Sequence, residues 1–179
     1  LDGEKKDRIN ILLLGMGGEG HDGAYLTDTI ILASIRPSDG SAAMLSIPRD
    51  LTVPIPGVGW RRINNINAIA EQQRPGEGAA QTAKIVGDIF KLPIPYYIRV
   101  DFDGFKQLID ELGGVRVSVD TSFTDLLYPA NNYGYEPVSF TAGWQTMDGD
   151  RALKFARSRH GDNGENSDFA RSRRQQKIM

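Results

Sequence analysis

The chain has 179 residues, 40% hydrophobic and 25% charged, with a formal net charge of −2 and no cysteine. Those values describe one globular domain with room for a core. They exclude a disulfide framework, a thiol nucleophile and a cysteine-ligated metal, and no run reaches the ~20 apolar residues of a bilayer span. Residues 1–8 read as a linker remnant and 9–179 as the domain, with both ends expected to continue in a longer protein.

Ile9-Asn10-Ile11-Leu12-Leu13-Leu14 is a short apolar run and predicts a buried strand. It enters Gly15-Met16-Gly17-Gly18-Glu19-Gly20, which matches the dinucleotide pattern G-x-G-x-x-G. That fingerprint requires a helix opening at the glycines. Here the β-branched run Thr27-Asp28-Thr29-Ile30-Ile31-Leu32 follows instead, predicting a second strand and arguing against a nicotinamide site. Pro37-Ser38-Asp39-Gly40 is a turn, so strands over 29–36 and 41–47 form a hairpin. The second of these delivers Ser46-Ile47-Pro48-Arg49-Asp50, where Pro48 stops the strand and Arg49 and Asp50 stand at its end, the usual ligand position in α/β sheets.

Arg62-Ile63-Asn64 reads as a helix entry with Asn capping, and a short helix is expected from Asn67 to the Pro75-Gly76 break. Ala79 to Leu92 carries an amphipathic pattern through Ala83, Val86, Ile89 and Phe90. A strand over 96–100 follows, then a helix over 101–112 stopped by Gly113-Gly114, then an alternating strand over 115–119. Leu126 to Tyr135 reads as an irregular, aromatic-rich loop and 150–158 as a helix. His21 and His160 fall in loops and are not spaced as zinc ligands.

The last stretch is the most informative. Arg151 to Met179 holds eight Lys+Arg against three Asp+Glu in an otherwise acidic chain. Arg157 and Arg159 close one helix, a Gly/Asn-rich loop follows, and Ser167 or Asp168 caps the next. On that helix Asp168, Arg171 and Gln175 share a face, Arg174 flanks it, and Arg173 and Lys177 point away. Planar guanidinium forks match phosphate oxygens bidentately, so phosphate binding stands against the bland reading of a solvated charged helix end. Nucleic acid is disfavoured, because the net charge is negative and no stacking aromatics interleave with the arginines.

Taken together, Thr27-Asp28-Thr29, Ser46-Ile47-Pro48-Arg49-Asp50, Arg62-Ile63-Asn64, Leu112-Gly113-Gly114-Val115, Gly149-Asp150-Arg151-Ala152-Leu153, Arg157-x-Arg159 and Asp168-Phe169-x-Arg171-x-x-Arg174-Gln175-Gln176 resemble the LytR-CpsA-Psr family from about Ile9 to Gln176. The resemblance implies a single-domain α/β/α sandwich with a central mixed sheet and an apolar pocket for a polyprenyl tail. A tunnel of that kind would use the same Ile, Leu, Val and Phe residues that read as core.

It also implies a phosphotransferase that moves a glycopolymer from a polyprenyl-pyrophosphate carrier to a peptidoglycan hydroxyl. The pyrophosphate ligands it implies are Arg49, Arg62, Asn64, Arg157, Arg159, Arg171, Arg174 and Gln175. Of these Arg49, Arg157, Arg159 and Arg171, with Asp50, carry the chemistry; Asp168 is placed as an orienting residue, and either Asp50 or Asp168 orients an arginine or accepts the acceptor proton. Mg2+, with Mn2+ as its alternative, is the expected cofactor, and Asp28 its first ligand. Two departures from the family pattern bear on this. Leu26-Thr27-Asp28 stands where Arg-Ser-Asp is common, and Met16-Gly17-Gly18 stands where an Asp is common, leaving Asp22, ahead of Glu19, as the substitute ligand. The expected location is the extracytoplasmic face of a bacterial membrane, held by an N-terminal anchor. A pyrophosphatase using water as acceptor, and a non-catalytic lipid-phosphate-binding regulator, are the alternative readings.

Overall fold

The computed structural model describes residues 8–130 and 134–179, so the linker reading of residues 1–7 and the Asn131–Tyr133 part of the predicted loop lie outside the described residues. Two compact units divide the chain after Phe102.

The first unit runs β1 (Ile9–Met16), β2 (Thr27–Arg36), β3 (Ser41–Ser46), β4 (Thr52–Ile55), β5 (Gly59–Arg62), α1 (Asn65–Gln73), α2 (Gly78–Phe90) and β6 (Tyr96–Val100). Its main sheet has the order β3-β2-β1-β6, antiparallel except for the parallel β1–β6 pair. The α/β class with a central mixed sheet is therefore as expected. β1 alternates in burial along its length, so Leu12 and Leu14 join Ile30, Leu32 and Ile47 on the face packed against Ile66, Ala79, Ala83 and Val86 of the two helices. Each such aliphatic side chain contributes about 1.5–3 kcal/mol by leaving water. The β2–β3 hairpin closes as predicted, with Asp39 accepting from the Ser41 amide at 2.9 Å. No helix follows the glycines after β1. The loop instead turns back on itself, the Gly18 N–H donating to Ala24 O at 3.0 Å. Gly18 has φ +86°, and a Cβ there would lie 2.7 Å from that of Asp101, so the backbone geometry itself requires glycine.

Asn64 does not cap α1 with its side chain, and the helix begins at Asn65 rather than Asn67. The β4–β5 hairpin was not anticipated, because Pro54 and Pro56 disguise it. Register explains the tolerance: Pro54 faces Trp60 in a two-stranded sheet that offers Pro an open edge.

The second unit holds α3 (Phe102–Glu111), β7 (Val115–Val119), β8 (Phe123–Pro129), β9 (Tyr135–Phe140), β10 (Gly143–Met147), α4 (Gly149–Arg157) and α5 (Asp168–Ile178). β7 pairs with β10 and β8 with β9, both antiparallel. Phe123, Phe140 and Phe155 stack at its core with ring centroids 5.0 to 6.1 Å apart. The glycine stop after α3 is as expected, the Gly114 N–H returning to Ile109 O at 2.9 Å. The reading of 126–135 as an irregular loop is corrected: Leu126–Pro129 and Tyr135 belong to paired strands. A bulge between Asp125 and Tyr128 breaks the period-two alternation, burying both residues and exposing Leu126 and Leu127 between them.

Candidate functional site

The predicted site residues fall into two charged clusters, one in each unit. In the first, the Ser46–Asp50 segment leaves β3 and presents Arg49 beside the start of β2. Arg49 Nη1 lies 2.9 Å from Asp28 Oδ1, Arg49 Nε 3.5 Å from Asp50 Oδ2, and Arg62 Nη1 3.2 Å from Asp50 Oδ1. Charges thus alternate Asp28–Arg49–Asp50–Arg62. Arg49 is three-quarters covered, whereas the other three are more than half exposed.

Asn64 is buried behind this row. Its carbonyl accepts from the Thr27 N–H at 3.2 Å, its own N–H donates to Arg49 O at 3.3 Å, and its side chain donates to Asp28 Oδ1 at 3.4 Å. One residue therefore ties together the backbones that carry Asp28 and Arg49. A network beneath it holds the preceding loop: Asn67 donates to Tyr25 O at 2.8 Å and accepts from Arg99, which also pairs with Glu71.

Asp28 Oδ1 is engaged by Arg49 and Asn64, Asp22 lies on the exposed turn at 19–25, and among the described residues no three His, Asp or Glu side chains gather to hold an ion. What these residues would offer Mg2+ is the Asp28 carboxylate, and that ion commonly takes one or two carboxylates together with substrate phosphates and water.

In the second cluster, α4 ends at Arg157 and α5 begins at Asp168, and the turn between them folds into a cavity of about 250 Å3 lined by Arg159, His160, Asn166, Ser167, Asp168 and Arg171. Ser167 is the cap, accepting from the Ala170 N–H at 3.1 Å. Arg171 and Arg159 converge on one oxygen of Asp168, at 3.0 and 3.7 Å. A helix N-terminus with two guanidiniums across one exposed carboxylate is chemically suited to an anion, since a phosphate can match the resident carboxylate.

The remaining predicted ligands are placed differently. Arg157 donates to the Tyr128 hydroxyl at 3.2 Å and lies over its ring. Burial raises the Tyr128 hydroxyl above its ordinary pKa, against the opposing charges of Arg157 and Lys154, so it acts as a neutral acceptor. The Gln175 side chain donates to Ala156 O at 3.4 Å.

Arg174 does not line the cavity at all. It is 2% exposed, with Nε on Phe155 O at 2.9 Å, Nη1 on Glu165 O at 3.0 Å and on the Glu165 carboxylate, and Nη2 on Ser158 O. Burial lowers its pKa while Glu165 opposes that shift. Its role here is to close the end of α4 against the 158–165 turn.

Sequence reasoning missed Asp125, Ser158 and Glu165, all buried around this turn. The one available signal was a carboxylate between Phe123 and Tyr128 on an otherwise apolar strand.

Residues 1–179 match the LytR_cpsA_psr family. The chain is 38% identical over 176 residues to the polyisoprenyl-teichoic acid–peptidoglycan teichoic acid transferase TagU of Oceanobacillus iheyensis, covering 98% of this chain and 51% of that protein. Among solved structures it is similar to B. subtilis TagT, with TM-score 0.74 and 29% identity over 98% of this chain and 63% of that one. It is also similar to TagT with bound octaprenyl pyrophosphate lipid, with TM-score 0.68 and 28% identity over 97% of this chain and 62% of that one. The chain spans about half the length of the curated relatives it matches.

Proposed function

The chain belongs to the LytR-CpsA-Psr family, and from that membership we propose that it forms part of a phosphotransferase moving a glycopolymer from a polyprenyl-pyrophosphate carrier to a peptidoglycan sugar hydroxyl. The observation that carries this reading is the pair Arg159 and Arg171, converging on one carboxylate at the N-terminus of α5. Support comes from the relative named as a teichoic acid transferase and from the relative holding octaprenyl pyrophosphate.

In the reaction the acceptor hydroxyl oxygen attacks the glycan-bearing phosphorus. The bridging P–O bond breaks, polyprenyl phosphate departs with its electron pair, and the hydroxyl proton is released. The product is a glycan–peptidoglycan phosphodiester. Negative charge grows on the departing phosphate, and preorganised donors aimed at such charge lower the barrier. Arg159 and Arg171 bind and orient the diphosphate, with Arg157 beside them at the end of α4. Arg49 and Arg62 are the proposed donors of the first unit. Asp168 and Asp50 each ion-pair with two guanidiniums, which suits them to orient arginines.

Mg2+, or Mn2+ in its place, is the proposed cofactor; Asp28 would hold it, and it would supply positive charge against the phosphate. The polyprenyl tail is proposed to lie against apolar side chains of the domain. Among the described residues no helix is long and apolar enough to cross a membrane. Work at the extracytoplasmic membrane face, with an anchor in the longer protein, is part of the proposal.

The test supplies a glycan-labelled polyprenyl pyrophosphate with and without peptidoglycan oligomers. Label is expected on peptidoglycan, with polyprenyl phosphate released only when acceptor is present. Equal release without acceptor makes the protein a pyrophosphatase; binding without turnover makes it a regulator.

A further inference from the structure

We infer that Asp125, which lies outside the arginine set, is the positioning residue of the cationic cavity: its buried carboxylate pins the backbone of Arg159 and His160 while leaving their side chains to the ligand. This rests on the phosphate-binding reading above.

Asp125 is 1% exposed. Its Oδ2 accepts from Ser158 Oγ at 2.6 Å and from the Arg159 and His160 N–H groups at 3.0 and 3.1 Å, and its Oδ1 accepts from the Leu127 N–H at 2.9 Å. The last helical bond of α4 runs from Ser158 N–H to Lys154 O. The next two amides have no helical acceptor, and this carboxylate is what they find. The register continues outward: the Thr124 N–H donates to Asp162 Oδ1 at 2.7 Å, the Asp162 N–H returns to Thr124 O at 3.1 Å, and Asp125 bridges Gly161. The whole 158–162 turn is thereby laced to β8.

What distinguishes this carboxylate from the others in the cluster is its partners. Asp168, Glu165 and Asp120 all pair with arginine side chains. Among the described residues Asp125 forms no ion pair with a side chain. A hydroxyl and three amides meet its charge, so it fixes position without consuming a guanidinium. Burial pushes its carboxyl up, but Ser158 and the amides of His160, Leu127 and Arg159 outweigh that and hold it below the ordinary range. Asparagine replaces it only in part, because its one neutral oxygen can face either Ser158, Arg159 and His160 or Leu127, and its NH2 then meets the donors on the other side.

The test is a cycle of four proteins: wild type, Asp125→Asn, Arg159→Ala and the double variant. Two readouts are taken, amide hydrogen exchange without ligand and calorimetric titration with inorganic pyrophosphate. In Asp125→Asn, Arg159 and His160 are expected to exchange about tenfold faster or more, with β1 and α2 protection unchanged, and pyrophosphate to bind about tenfold more weakly, the scale of one lost charged hydrogen bond. In the Arg159→Ala background the additional loss from Asp125→Asn is expected to shrink to about twofold, because residues acting through one another are not additive. Unchanged exchange at Arg159 and His160 overturns the inference, as does an undiminished tenfold loss in both backgrounds. If Asp125→Asn does not fold, Ser158→Ala, which deletes one donor and spares the carboxylate, enters the same cycle under the same criteria. If wild type binds no pyrophosphate, the functional proposal falls, and the exchange measurement alone decides whether Asp125 is the anchor.

Discussion

Replacing Glu165 with alanine is expected to destabilise the C-terminal unit by about 3–5 kcal/mol, the cost of stranding a buried charge. Arg174 is 2% exposed and Glu165 6%, so both are almost wholly withdrawn from water in the native state. In the variant the guanidinium keeps three carbonyl acceptors, Phe155 O, Ser158 O and Glu165 O, and the flanking Phe123 and Phe155 rings. Among the described residues, it loses the one carboxylate its hydrogen bonds reach. Arg173 loses a bond to Glu165 as well, but it is half exposed and remains within 3.9 Å of Asp120, so its share is small. For a chain of this size the total corresponds to a drop in Tm of about 6–20 °C. Urea unfolding followed by circular dichroism measures it directly. Combining Glu165→Ala with Arg174→Leu is expected to cost at least ~2 kcal/mol less than the sum of the single losses, because the second change removes the charge that the first left unpaired. A Glu165→Ala cost under about 1 kcal/mol, the range of an exposed ion pair, would refute the assignment of Arg174 to the interior.

Arg171→Ala is expected to lower the transfer rate by about 10²–10³-fold, and Arg171→Lys to restore only part of it, because a point charge does not reproduce a bidentate fork; full recovery with lysine in a labelled-glycan assay would contradict the geometry. Asp28→Asn is expected to raise the Mg2+ concentration needed for half-maximal transfer while leaving the Tm within about 2 °C, since its carboxylate is half exposed; an unchanged metal titration removes Asp28 as the holder. Stability is expected to fall as pH drops below about 4, because Glu71 and Asp125 have folded pKa values below their ordinary ones. For Glu71 the causes are the Gly76 N–H first and then Arg99; for Asp125 burial opposes, and the Ser158 hydroxyl and amides prevail. Depressed carboxylates contribute above their unfolded pKa and lose that contribution as pH falls through the folded one, so Glu71→Gln should flatten the urea midpoint between pH 5 and the acid limit of folding; an unaltered slope would show that Glu71 is not depressed.

The strand-by-strand reading succeeded where one local rule controlled the chain. Pro37–Gly40 announces its hairpin, Gly113-Gly114 ends its helix, and the β-branched run after the glycine loop announces a strand rather than a helix. It failed at Asp125–Tyr128, because a bulge moves two buried residues three positions apart and erases the alternation that reveals a strand. Asn64 shows a related failure. A local rule assigns it to a helix cap, while a long-range contact with Asp28 competes for the same side chain and wins.

The C-terminal arginines divide along the same line. Their number, their guanidinium chemistry and their placement on either side of a Gly/Asn-rich turn are properties of the sequence; they set phosphate binding against a solvated helix end, and only together with Ser46–Asp50 and the other motifs did they point to a family. Which arginine faces a ligand is not such a property. Helix periodicity sets Arg171 and Arg174 three positions apart on neighbouring faces, and a charged side chain defaults outward in any local reading. Only packing put three carbonyls, a glutamate and two phenyl rings around Arg174 and left Arg171 on the cavity, because an inward arginine is stable only where distant segments supply every acceptor it needs.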